Sequence, residues 1–97
     1  MGQIYSGTDF ELTVETGIDI TAMATKEILY RRPGSSTEGV FTSVSVIGTT
    51  QMRYNVPKVI NGITIPAGRW MFHARVVDGT GKEHIGELAT RFIRHKW

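Results

Sequence analysis

Three histidines, at positions 73, 84 and 95, are the side chains best suited to bind a metal or move a proton near neutral pH. The chain has no cysteine, so a zinc-type centre would need several of these imidazoles together. Whether two of them can meet depends on strand register, because side chains alternate faces along a strand. If Asp78 pairs with Lys82 across the loop Gly79-Thr80-Gly81, Gly81 can take the left-handed position such loops need. Phe72 then lies opposite Leu88, Trp70 opposite Thr90 and Arg69 opposite Arg91. In that register His73 is on the outer face beside Glu87 and His84 on the inner face, so they share no ion. His73 and Glu87 then read as a cross-strand polar pair. A two-residue turn would set Phe72 against Glu87 and bury a charge, so the longer loop is expected.

Other chemical patterns fail on their own requirements. Gly79-Thr80-Gly81-Lys82 has the end of a phosphate-binding loop, but Val76 stands where that motif needs glycine and Glu83 where it needs Ser or Thr. Met1-Gly2-Gln3-Ile4-Tyr5-Ser6 fits the myristoylation pattern without a basic patch beside it, and reads better as an arm leading into a strand. The serines fall in turns (Ser35, Ser36) or in one strand (Ser43, Ser45), with no glycine elbow around a nucleophile. Paired carboxylates would need a cleft that so small a domain rarely encloses. No catalytic residue, cofactor site or metal site is expected. Arg91-Phe92-Ile93-Arg94-His95-Lys96-Trp97 mixes bases with aromatics, as nucleic-acid contact strips do, but Phe92 is expected to face the core. The few remaining bases and a net charge of +2 argue against nucleic-acid binding.

The elements that would position these residues are strands. Phe10, Leu12 and Val14 alternate with Asp9, Glu11, Thr13 and Glu15; Met52, Tyr54 and Val56 alternate with Gln51, Arg53 and Asn55 until Pro57 ends the ladder. Trp70, Phe72, Ala74 and Val76 form one face of 69–77, so Trp70 and Phe72 are expected in the core. Weaker strand patterns cover 26–31, 40–47 and 83–93, and turn residues separate all six. Six or seven short strands with no long helical stretch indicate an all-β antiparallel sandwich or small barrel.

At 97 residues, 40% hydrophobic and 21% charged, the chain has room for one globular domain, expected over 1–97 with short terminal arms. Apolar runs never exceed three residues, so no membrane span or signal core is expected, and synthesis in the cytoplasm is. Charge is uneven: residues 1–48 hold six acids and three bases (−3), residues 49–97 three acids and eight bases (+5). Such polarity suits contacts between copies or neighbours, unless folding interleaves the halves.

Read in order, Tyr5-Ser6-Gly7-Thr8-Asp9-Phe10-Glu11-Leu12-Thr13, Ile18-Asp19-Ile20-Thr21, Pro66-Ala67-Gly68-Arg69-Trp70, Asp78-Gly79 and Gly86-Glu87 carry a resemblance. The chain is similar, over roughly residues 4–93, to short immunoglobulin-like structural proteins of tailed bacteriophages and prophages, such as the N-terminal domain of siphophage baseplate upper proteins. Trp70 occupies the family's aromatic place, whereas Asp19-Ile20-Thr21-Ala22 lacks its usual glycine. The resemblance implies an immunoglobulin-like β-sandwich that acts as a non-enzymatic structural or adaptor piece of a virion, in tail, baseplate or neck. Its partners would be other virion proteins, with multiple copies per particle and no membrane, nucleic acid or metal. Protein contacts are expected at the terminal arms, through Ile4, Tyr5, Arg94, His95, Lys96 and Trp97. A capsid decoration protein is a variant of this reading. A carbohydrate or host-surface binder is the alternative, and would need Tyr5, Tyr30 or Trp97 as a stacking platform.

Overall fold

Period-two burial organises the molecule. A computed structural model of the chain describes residues 4–60 and 62–94, and among them places eleven strands and no helix. These are β1 (Ile4–Tyr5), β2 (Phe10–Glu15), β3 (Thr25–Arg31), β4 (Glu38–Phe41), β5 (Ser45–Ile47), β6 (Gln51–Val56), β7 (Val59–Ile60), β8 (Ile63–Thr64), β9 (Gly68–Val77), β10 (Glu83–Ile85) and β11 (Ala89–Arg94). The larger sheet runs β1-β11-β9-β3-β4 with β10 also on β9; the smaller runs β2-β6-β5; β7 and β8 form a hairpin.

The chain is all-β, as the alternation implies, with more strands than the six or seven expected. Segment 40–47 is two strands, not one, because β4 pairs with β3 in the larger sheet and β5 with β6 in the smaller. The imperfect alternation of that segment is the trace of a chain changing sheets. Segment 83–93 is likewise cut between β10 and β11. The two-residue strands β1, β7 and β8 are too short to carry a period. Nor is the pairing wholly antiparallel, since β1 runs parallel to β11 with Ile4 beside Ile93 and Tyr5 beside Arg94.

The core lies between the two larger sheets. From the smaller sheet come Phe10, Leu12 and Val14 of β2 with Met52 and Val56 of β6; from the larger come Ile28 and Tyr30 of β3 with Trp70, Phe72, Ala74 and Val76 of β9. Trp70 and Phe72 are fully buried, and the indole Nε1–H of Trp70 donates to the Pro66 carbonyl at 3.0 Å, so burial leaves no polar atom orphaned there. Rings continue outward from Trp70: Tyr30 packs beside it, Phe41 stacks on Tyr30 at 4.3 Å, and Tyr54 stacks on Phe41 at 4.4 Å. Gly39 lies opposite Tyr30 in the β3–β4 ladder, and a Cβ there would overlap the Tyr30 ring. The missing side chain gives that ring its seat.

One end of the sandwich is closed by Thr16. Its amide donates to the Thr50 carbonyl at 2.9 Å and its hydroxyl lies 2.6 Å from the same oxygen, while His84 Nε2–H donates to the Thr16 carbonyl at 2.9 Å. Where β9 turns into β10, the loop over 79–81 has the expected form. Asp78 N–H donates to Lys82 O at 3.0 Å, Gly81 N–H donates to Asp78 O at 3.1 Å, and Gly81 has a φ of 91°. The Asp78 carboxylate accepts from the Thr80 hydroxyl and from the Thr80 and Lys82 amides, and these bonds, the hydroxyl foremost, hold its pKa below the ordinary 3.8.

Two outcomes follow. Trp70→Ala should lower unfolding free energy by about 3–5 kcal/mol in denaturant titration, a large share of a small domain's stability; a loss under about 1 kcal/mol would contradict the placement of the indole. For Asp78, the depressed folded pKa means that its charged form stabilises the fold above pH 3.8 and ceases to as pH falls through the lowered value. Asp78→Asn should therefore melt below the parent at pH 7, with the two melting temperatures converging as the solution is acidified below pH about 4.

Candidate protein-binding face

Since the even-numbered side chains of β9 point into the core, the odd ones, Arg69, Met71, His73, Arg75 and Val77, point out of the larger sheet. Register extends this face sideways. Glu27, Leu29 and Arg31 of β3 lie opposite Arg75, His73 and Met71, and Val40 and Glu38 of β4 lie opposite Leu29 and Arg31. On the other edge of β9, Ile85 is opposite Arg75 and Glu83 opposite Val77.

A one-residue bulge then decides what the rest of the face displays. Pairing sums shift between Ile85–Arg75 and Ala89–Phe72, so that Glu87 and Leu88 together oppose His73. The expected register therefore holds from Asp78–Lys82 to Ile85–Arg75 and fails beyond it. Phe72 pairs with Ala89 rather than Leu88, and Trp70 with Arg91 rather than Thr90. Phe92, expected in the core, is 63% exposed on the outer face opposite Arg69, while its neighbour Ile93 is buried. The bulge follows Gly86, whose amide donates to the Ala74 carbonyl at 2.8 Å. A Cβ at Gly86 would approach the Glu15 carbonyl oxygen to 2.9 Å, so this close passage against the smaller sheet favours glycine. His73 consequently bonds the bulge: Nδ1–H donates to the Gly86 carbonyl at 3.0 Å, in place of the expected pair with Glu87.

Five of the six large apolar side chains exposed among the described residues, Tyr5, Val40, Ile85, Leu88 and Phe92, lie on this face; Val59 is elsewhere. Half-buried Leu29 and Met71 fill the ground between them and line a shallow depression with His73 and Leu88. Scattered apolar side chains are ordinary on a surface, whereas a cluster on one sheet face is a candidate contact site. Charge flanks it. Arg75 is held between Glu27 and Glu83, with Nε–H donating to Glu83 Oε2 at 2.6 Å, and the two carboxylates, Glu27 first, raise the guanidinium pKa further.

The terminal residues expected to bind partners separate on this frame. Ile4 packs against the core through β1, and Ser6 N–H donates to the Arg94 carbonyl at 2.8 Å, so residues 4–6 belong to the sheet and form no loose arm. Tyr5 and Arg94 stand side by side at one end of the outer face. His95, Lys96 and Trp97 lie outside the described residues, as do Met1 to Gln3. Of the rings required for a carbohydrate platform, Tyr30 is in the core. The basic run is also divided: Arg91 turns toward the Trp70 side with Nη1–H on the Thr90 carbonyl, and Phe92 and Arg94 turn outward. Register puts His73 on the outer face and His84, opposite Val76, on the inner one. Among the described residues no three His, Asp or Glu side chains group as metal ligands.

Val40, Ile85, Leu88 and Phe92 were not legible as a surface from periodicity alone. Two signals bear on Leu88 and Phe92: Phe92-Ile93 is an adjacent pair of which only one member can face inward, and Gly86 interrupts a strand pattern where bulges occur. No protein-family model, curated protein or solved structure gives a significant match to the chain. Because Phe92 is mostly exposed, Phe92→Ser should shift unfolding free energy by no more than about 0.5 kcal/mol in a denaturant titration. A loss of about 3 kcal/mol, the scale of a buried ring, would place it in the core.

Proposed function

We propose that this chain is a non-enzymatic structural or adaptor module, an immunoglobulin-like sandwich that joins neighbouring proteins of a tailed-phage virion through the outer face of its larger sheet. The observation that carries the reading is the gathering of Tyr5, Val40, Ile85, Leu88 and Phe92 on that face. Their exposure costs solubility in an isolated domain and is relieved when a partner covers them.

Strand order supports the immunoglobulin-like part. β2-β6-β5 follows the order B-E-D of such sandwiches, and β4-β3-β9-β11 the order C′-C-F-G. The sequence resemblance supports the virion setting. Support for a non-catalytic role comes from the histidines, since His73 and His84 both spend a ring N–H on backbone carbonyls. The depressions of the outer face are shallow and flanked by ion-paired side chains.

The test is incorporation into particles. Leu88→Ser combined with Phe92→Ser should leave a folded protein whose melting temperature stays close to the parent, yet which no longer co-purifies with assembled particles. Incorporation of this variant at the parental level would overturn the assignment of the face.

A further inference from the structure

We infer that the outer face of the larger sheet is self-complementary and takes a second copy of this chain, face to face with strands antiparallel about a two-fold axis. The inference rests on reading this face as the binding surface, and it adds the identity of the partner. Its first support is the arrangement of charge. At one end of the face Arg69 and Arg94 are exposed and have no ion pair among the described residues. At the other end Glu27 and Glu83 share the single cation Arg75, which leaves an excess of negative charge. Eight residues of β9 separate Arg69 from the row of Val77 and Glu83, about 26 Å at the rise of a strand. That exceeds a Debye length of about 8 Å, so the two ends act independently on whatever approaches.

A two-fold axis lying in the interface and perpendicular to β9 at His73 exchanges these ends. Rows equally distant from His73 then meet. Glu27 of one copy comes over Arg31 of the other, and the Glu83 end comes over the Arg69 end, each contact occurring twice. The axial row runs Glu87 and Leu88, His73, Leu29 and Val40, so its apolar members Leu88, Leu29 and Val40 meet their own equivalents, as an isologous interface requires, with the charge of Glu87 at the β10–β11 edge of the row. Stacking the copies with strands parallel, about an axis along β9, would instead set the basic end of one over the basic end of the other, with Arg69 over its own equivalent. Apolar contact supplies adhesion and charge selects the orientation.

Size is the second consideration. Only β9 runs ten residues and its sheet neighbours hold two to seven, so the strand-covered face is on the order of 500 Å². That is below the figure of about 800 Å² that a stable interface buries on each partner, so a second copy has to cover the whole face, with the charge match setting its orientation.

The experiment is sedimentation velocity on the purified chain over a concentration series at physiological salt, with circular dichroism to verify folding of each variant. The parent should sediment as a dimer, twice 10.8 kDa. Leu88→Glu, which replaces an apolar contact at the axis by a like-charge pair added to that of Glu87, should be monomeric. Arg69→Glu with Arg94→Glu makes both ends acidic, and Glu83→Lys makes both ends basic. Each should dimerise at least tenfold more weakly than the parent, and mixing the two should restore a heterodimer. A parent that stays monomeric, or charge variants that fail to pair when mixed, would overturn the inference. The two readings fail separately: a monomeric parent whose Leu88→Ser/Phe92→Ser variant is excluded from particles means the face binds a different chain. A dimeric parent whose variant still enters particles removes the proposed function and keeps the dimer.

Discussion

β9 keeps a strict period of two for ten residues while both of its edges are hydrogen-bonded, and the rest of the molecule is arranged around that constraint. A strand bonded on both sides cannot rotate to rescue a misplaced side chain, so Trp70, Phe72, Ala74 and Val76 must all be accommodated on one side. The smaller sheet supplies the opposing wall through Leu12, Val14, Met52 and Val56. The connections seal the ends, with Ile20 and Ile65 fully buried although neither lies in a strand. The outward character of Arg69, Met71 and His73 is therefore a by-product of the same period that fills the core.

Against this regular strand, the neighbouring chain is irregular. Val76 and Ala74 can be matched by β10 only with His84 and Gly86 on the inner side, and Trp70 and Phe72 are matched by β11 only with Ala89, Arg91 and Ile93 on that side. These demands are out of phase by one residue. The extra residue at Glu87-Leu88 reconciles them, and the increased local twist of a bulge accompanies it. A single inserted residue thus converts Phe92 from a core candidate into the most exposed large apolar side chain described.

Much of the architecture was legible because burial writes itself into sequence wherever a strand has one wet face and one dry face. β2, β6 and β9 meet that condition and were readable to within a residue. β4 and β5 did not, because Glu38 to Ile47 changes sheets and its inside becomes its outside partway along. β1 escaped for a different reason: two residues hold no period, and its partner Ile93 is far away in sequence. The Asp78–Lys82 register was recoverable from the cost of burying Glu87, whereas the shift after Ile85 was not. Gly86 marks a place where a bulge can occur, but whether one does depends on its contact with the smaller sheet, a tertiary approach. The same gap hid the candidate face, since three of its five exposed groups follow from that shift or from β1.

The parallel ladder between β1 and β11 joins residues 89 positions apart. Closing a loop of that length must precede any reward from the contact, which makes all-β chains with such pairings slow folders, in milliseconds to seconds. During synthesis at about 5–20 residues per second, Ile4 emerges many seconds before Ile93 exists to receive it. β1 thus leaves the ribosome long before its partner strand does, and the Ile4–Ile93 pairing is among the last contacts that can form. β2 follows β1 after only Ser6 to Asp9, so the polar tether between them sets how far that waiting strand can roam before β11 completes the sheet.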